Sequence, residues 1–495
     1  MSKYLMSFDQ GTTSSRAILF NLRGEPVSSA AYEFEQIFPH EGWVEHNPDE
    51  IWGSQLRAAR KAMEKVGASA EDIAAIGITN QRETTIVWER STGNPICNAI
   101  VWQCRRTADF CDELKAQGLE DMIRRKTGLV IDPYFSASKL RWILNSIPGA
   151  RQKAEAGELM FGTVDTWLIY KLTDGRVHAT DYSNASRTML FNINTLDWDD
   201  ELLKLFDIPR AILPELCPSS HHFGNTDAAL FGCEIPIAGA IGDQQAALFG
   251  QGCYTRGDAK NTYGTGGFLL MNTGERPVFS SNGLVTSVAW GLDGKVNYAL
   301  EGSVFICGAA IQWLRDCLGI LQNAAESETL AATVKSTGGV YFVPAFVGLG
   351  APYWDPYARG AIFGITRGTT KAHITRATLE AMAFQTVDVL EVMQKEVGLS
   401  LSALRVDGGA SANNILLSLQ SDFLGVPVIR SACLETTALG AALLAGLATG
   451  CFSSVEHIQG LIKEGKCYTP RMNAQDREAS LAGWHSAIER TLGKL

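Results

Sequence analysis

Residues 9–16 read Asp9-Gln10-Gly11-Thr12-Thr13-Ser14-Ser15-Arg16, and this segment has the makings of a phosphate cradle. A glycine lets backbone N–H groups at a hairpin tip close on an anion, and neighbouring hydroxyls add donors. Asp9, ending an apolar run, is placed to hold Mg²⁺ through water, since that ion keeps much of its hydration shell. Arg16 is placed to neutralise a phosphoryl group in transfer. Taken locally, an ordinary Gly-Thr hairpin with a capping Asp has the same composition. Asp243 is the candidate general base: it follows a buried-strand pattern and Gly242, where a helix pattern begins. An Asp there is equally suited to be an N-cap. Arg82-Glu83 follows another strand pattern and would donate to one hydroxyl while accepting from its neighbour, as a vicinal diol requires. Read alone, the pair is a surface ion pair on a turn. Trp102 and Tyr134 suit packing on a short carbon skeleton, or a core.

Gly264-Thr265-Gly266 offers a second hairpin tip, and Gly408-Gly409-Ala410-Ser411-Ala412-Asn413 a glycine turn entering a helix, against which a base or ribose could lie. No G-x-x-x-x-G-K-[ST] loop is present, and Gly264-Thr265-Gly266-Gly267-Phe268-Leu269 lacks the last glycine of G-x-G-x-x-G. His221-His222 has no carboxylate or cysteine at ligand spacing and reads as a solvated loop.

The elements that must position these residues alternate between strand and helix patterns, an α/β signature. Residues 4–8 and 17–21 read as strands flanking the first tip, and 260–263 and 268–271 flank the second. The first unit ends on Gly24-Glu25-Pro26-Val27 and the second on Gly274-Glu275-Arg276-Pro277-Val278, an echo that suggests duplication. Strands are expected at 73–79, 235–241 and 404–406, and helices at 374–393 and from Asn413 to Leu424. A lobe boundary is expected near 251–258, giving lobes 1–251 and 252–495.

At 495 residues, two or three packed domains are expected. The net charge of −10 and the lack of a Lys/Arg run argue against a nucleic-acid partner. Eleven scattered cysteines, without a C-x-x-C pair, fit reduced thiols in the cytoplasm. Residues 1–8 reach Asp9 too soon to hold a signal-peptide core, and the longest apolar stretch, 438–448, is too short to span a membrane. It reads as a buried helix.

With these residues gathered, the chain resembles the FGGY carbohydrate kinases over essentially its whole length. The resemblance rests on Phe8 to Arg16, Gly77-Ile78-Thr79-Asn80-Gln81-Arg82-Glu83-Thr84-Thr85, Trp102-Gln103-Cys104-Arg105-Arg106-Thr107 and Asp132-Pro133-Tyr134-Phe135-Ser136. It extends through Thr163 to Trp167, Gly242 to Gly250, Asn261 to Gly266, Gly350 to Asp355 and Asp407-Gly408-Gly409-Ala410. It implies a duplicated, two-lobed, actin-like (ribonuclease H-like) α/β fold with the active site in the cleft between lobes. It also implies ATP- and Mg²⁺-dependent phosphorylation of a small polyol, with glycerol preferred over a triose or pentose. Thr12, Thr13, Ser14 and Arg16 would meet the phosphates, and Thr265, Gly308, Gln312, Gly409 and Asn413 would complete the nucleotide site. Arg82, Glu83, Tyr134, Asp243 and Gln244 would hydrogen-bond the polyol, Trp102 and Phe268 would wall its carbons, and Asp9 and Asp243 would sit near the metal. A homodimer or homotetramer is the family expectation. Some relatives bind fructose bisphosphate through an Arg in a Gly-rich loop, where Phe231-Gly232-Cys233-Glu234 here offers the acid Glu234. Others are phosphorylated on a His of that loop, where Ala229 stands here. A non-catalytic ATP-binding protein of the actin or chaperone type would share the hairpins but would not need Asp243.

Overall fold

The computed structural model describes residues 3–493. Two mixed sheets carry the fold. The first runs in the order Ser220–Asn225, Pro236–Gly242, Ile73–Asn80, Tyr4–Gln10, Ser14–Asn21, Pro26–Glu33. The second runs Val285–Leu292, Lys295–Val304, Gly267–Gly274, Ala259–Tyr263, Leu404–Asp407, Val428–Ser431, Glu464–Tyr468. In each, an opening strand pairs antiparallel with the next strand of the chain on one side and parallel with a later strand on the other. The echo between the two Gly/Thr hairpins is thus a repeat of topology. Strand pairing joins Asp9 to Arg16 across the first hairpin, so both point from its mouth.

The central strands Tyr4–Gln10 and Ile73–Asn80 are buried almost throughout, as strands covered on both faces must be. The candidate site residues sit where these parallel strands end: Asp9 on the first, Arg82 just after the second and Asp243 just after Pro236–Gly242, with Asp407 likewise ending Leu404–Asp407. Crevices at the carboxyl ends of parallel strands are where α/β folds hold ligands.

The apolar stretch at 438–448 forms the helix Thr436–Ala448, as expected, but it lies across the first sheet, although strands of the second sheet come before and after it in the chain. It crosses the helix Asp243–Gly250 at very short range. A Cβ on Gly440 would meet the Ala246 carbonyl oxygen at 2.0 Å, and one on Gly250 would meet the Thr436 carbonyl oxygen at 2.0 Å. Only glycine permits that crossing, which braces the helix bearing Asp243 against the second half of the chain. His221 and His222 differ from the loop reading: they are exposed, but on the edge strand Ser220–Asn225, held by antiparallel pairing with Pro236–Gly242.

Candidate active site

Arg82 is the centre of the site. It is 3% exposed and adopts a left-handed backbone, φ 51°, a conformation rare for a side chain of its size and typical of functional turns. Its Nη1 donates to Glu301 Oε2 at 2.7 Å and its Nη2 to Glu301 Oε1 at 3.1 Å, a bidentate pair. Nη2 also donates to the Tyr134 hydroxyl at 2.9 Å, and Nε lies 3.2 Å from Asp243 Oδ1. Arg187, fully buried, donates from Nε to Glu83 Oε1 at 2.7 Å and reaches Glu301 at 3.2 Å. Two guanidiniums and two carboxylates therefore close a neutral buried ring, Arg82–Glu301–Arg187–Glu83. Burial opposes ionisation of Glu301, but Arg187 and Arg82 win and hold its carboxyl at about 2. The surface-pair reading of Arg82-Glu83 fails because both side chains find partners far along the chain.

Asp243 is the first residue of the helix Asp243–Gly250, not its cap: Gly242 holds the cap position. A Cβ at Gly242 would meet Arg82 Cγ at 2.9 Å, so this glycine makes room for the arginine. The Asp243 carboxylate accepts from the Gln244 N–H at 2.7 Å, and its side chain remains 31% open. Burial raises its carboxyl above the usual range, with Arg82 pulling the other way and Glu83 adding to the rise.

A chain of contacts leads from this ring to the first hairpin. Tyr134 and Trp102 pack edge to face with centroids 5.4 Å apart, and Trp102 Nε1 donates to Thr12 Oγ1 at 3.0 Å. Thr12 is held from behind, its carbonyl accepting from Gln36 Nε2 at 3.1 Å. The N–H groups of Thr12 and Thr13 donate to no protein acceptor among the described residues. Thr13 and Ser14 complete the tip, which leaves it free to meet an anion. Arg16 spans Asp9 and Glu435, the latter at 2.8 Å, so its guanidinium rests between carboxylates at the cleft.

The other predicted nucleotide residues gather at the second hairpin. Gly308 N donates to Gly264 O at 3.0 Å, and the Thr265 carbonyl accepts from Cys307 and Ala309, which docks the helix Gly308–Asp316, bearing exposed Gln312, on the tip. Gly409 faces open space, with nothing within 4 Å of a Cβ built on it, and Asn413 caps Asn414–Leu424 through Leu416 N at 3.0 Å. Phe268 follows on the strand Gly267–Gly274. The donor set fits a magnesium nucleotide. Free hairpin N–H groups and Arg16 suit phosphates, and a buried Asp407 Oδ1 lacks a protein partner. Among the described residues no three His, Cys, Asp or Glu side chains cluster as a metal site, and Mg²⁺ needs only one or two carboxylates beside phosphate oxygens and water.

Sequence reasoning missed Arg187, Glu301 and Lys260. Lys260 is buried and donates to Gln244 Oε1 at 2.6 Å; burial pushes its ammonium down to about 8 against the carboxylates of Asp407, Asp243 and Glu301. Lys139 donates to the carbonyls of Tyr134 and Phe135 at 2.8 and 3.0 Å and so fixes the turn that presents Tyr134. A lone charge inside an otherwise apolar strand pattern was the available signal for Glu301.

Comparison with known proteins gives this site its class. The chain matches the N-terminal domain model of the FGGY family of carbohydrate kinases over residues 4–250 and the C-terminal domain model over residues 259–449. It belongs to that family. It is 62% identical over 491 residues to glycerol kinase 2 of Thermotoga maritima, with 99% of each chain covered. It is equally 62% identical, over 492 residues, to a glycerol kinase of a Thermoanaerobacter strain, again with 99% of each covered. Among solved structures it is similar to Plasmodium falciparum glycerol kinase with ADP, at TM-score 0.95 and 37% identity, covering 100% of this chain and 99% of that one. Xylulose kinase from Lactobacillus acidophilus shares the fold, at TM-score 0.88 and 23% identity over 99% and 97% of the two chains. No helix among the described residues is long and apolar enough to cross a membrane.

Proposed function

We propose that this chain transfers the γ-phosphoryl group of ATP to a terminal hydroxyl of glycerol, giving sn-glycerol 3-phosphate and ADP. The observation that carries the reading is Asp243, a part-exposed carboxylate 3.2 Å from the buried Arg82 guanidinium, which also holds the Tyr134 hydroxyl. Full-length similarity to glycerol kinases supports the choice of acceptor.

Arg82 and Tyr134 donate to the acceptor's hydroxyls and Glu83 accepts, while Trp102 and Phe268 cover its carbons. Asp243 takes the proton from the attacking hydroxyl, a role its raised affinity for protons favours. The Thr12 and Thr13 N–H groups, the Ser14 hydroxyl and Arg16 stabilise charge on the phosphoryl oxygens. Thr265, Gly308, Gln312, Gly409 and Asn413 surround the nucleoside end. Asp9 and Asp243 would hold Mg²⁺, which would supply charge neutralisation to the phosphoryl group. The eleven free cysteines suit a reducing cytoplasm.

The test is coupled ADP release across glycerol, dihydroxyacetone, xylulose and ribulose. Glycerol is expected to give the highest kcat/KM, with dihydroxyacetone slower and pentoses poor. Equal values for a pentulose and glycerol overturn the choice of acceptor, and turnover independent of any polyol overturns the kinase reading.

A further inference from the structure

Lys260 lies on the strand Ala259–Tyr263, is 0% exposed, and points its ammonium toward the helix Asp243–Gly250 and the strand Gly267–Gly274. Its three protons meet three acceptors: Gln244 Oε1 at 2.6 Å, Thr262 Oγ1 at 2.9 Å and the Phe268 carbonyl at 3.2 Å. An ammonium with every donor engaged has none left to give a substrate, so it holds structure and does not transfer protons. Two of its three acceptors belong to residues of the proposed acceptor site, one on the helix Asp243–Gly250 and one on the second hairpin.

We propose that Lys260 is a positioning residue that sets which end of the Gln244 amide faces the polyol. This rests on the reading of the site given above. An amide is nearly symmetric in shape, and rotation by half a turn exchanges a donor for an acceptor. Against Lys260 only one orientation survives: the flipped amide would press its NH₂ against an NH₃⁺ in a buried space. With Oε1 turned to the ammonium, Nε2 remains, and among the described residues it donates to no protein group. Gln244 is thereby presented as a donor to a hydroxyl oxygen. The charges of Asp407, Asp243 and Glu301 favour the ammonium over the neutral amine, against its burial.

The experiment is a kinetic cycle on the full chain with Lys260→Met, Gln244→Ala and the double variant, using glycerol and ATP. Lys260→Met is expected to raise the glycerol KM roughly 10- to 100-fold while the ATP KM changes little. In the Gln244→Ala background the same substitution should add less than about twofold, because the amide it orients is gone. Gln244→Glu gives a second arm that still offers the lysine an acceptor oxygen. Its carboxylate offers no donor, so the glycerol KM should rise while Tm is retained. Multiplicative effects in the cycle overturn the proposal, as does a lowered Tm with unchanged glycerol KM, or a Gln244→Glu enzyme with wild-type glycerol KM. A wild-type enzyme that turns over ATP without any polyol separates failure of the functional reading from failure of this one.

Discussion

Replacing Glu301 with Gln should damage the site in a way that a second substitution repairs. The ring of Arg82, Glu301, Arg187 and Glu83 holds two positive and two negative charges, with all four side chains at most 3% exposed. Glu301→Gln keeps the shape but leaves one uncompensated positive charge, and it turns an NH₂ toward guanidinium donors. Breaking a buried pair from one side costs about 3–5 kcal/mol, most of it the penalty for the stranded charge. Arg187→Gln should cost about the same, stranding a negative charge. The double variant removes one charge of each sign and leaves the Arg82–Glu83 pair, which lies at 3.6 Å. Its Tm should therefore be no lower than that of either single variant, where independent effects would sum to about 6–10 kcal/mol. Because Glu301 belongs to the second sheet and fixes Arg82 by two hydrogen bonds, Glu301→Gln should also raise the glycerol KM by roughly 100-fold, the scale of a misplaced recognition group. Calorimetric Tm and coupled ADP release on the four proteins read both effects. Additive losses in Tm would refute the reasoning, as would a glycerol KM unchanged in Glu301→Gln.

Three further outcomes follow from the same structure. Asp243→Asn should lower kcat by roughly 10²–10⁴-fold, the usual worth of a positioned base, with ATP affinity by calorimetry little changed; near wild-type turnover would reduce Asp243 to a helix-start residue. Asp165 is buried beside Asp181, and burial first, then that neighbour, raises its carboxyl to about 7. The folded chain therefore keeps a proton that the unfolded chain releases, so stability should fall as pH rises from about 4 to 7. Asp165→Asn should flatten that part of a Tm-against-pH profile, and an unchanged slope would count against it. Glu234 is exposed and accepts from Asn225 at 3.0 Å, placing a carboxylate where a bisphosphate would need a cation. Titration with millimolar fructose bisphosphate should leave activity unchanged, and saturable inhibition would reveal a cationic site elsewhere.

What the sequence disclosed, and what it withheld, follows from the range of the interactions concerned. The two Gly/Thr hairpins were legible because a tip and its flanking strands are contiguous, and their echo carried the duplication. The strand ending at Asn80 and the helix starting at Asp243 were likewise local patterns. Arg82-Glu83 was misread locally because its burial is decided by Arg187, 104 residues from Glu83, and Glu301, 219 residues from Arg82. The chain alone offers no way to see such partners, and an unpartnered charge pair on a turn belongs at the surface. His221-His222 was misassigned for a related reason: two polar residues on an edge strand expose the same composition as a loop, and only pairing with Pro236–Gly242 distinguishes them. The helix Thr436–Ala448 was recognised as buried, yet its Ala/Gly composition is apolar all round and names no facing element. Its glycines mark the crossing only once Gly250 is known to lie opposite. The same logic explains why Lys260 and Glu301 were overlooked. Each is a charge flanked by buried strand residues, and such a charge persists only where opposite charges or acceptors converge on it. A lone Lys or Glu inside an apolar strand pattern is therefore a sequence-level pointer to a cleft, legible before its partners are known.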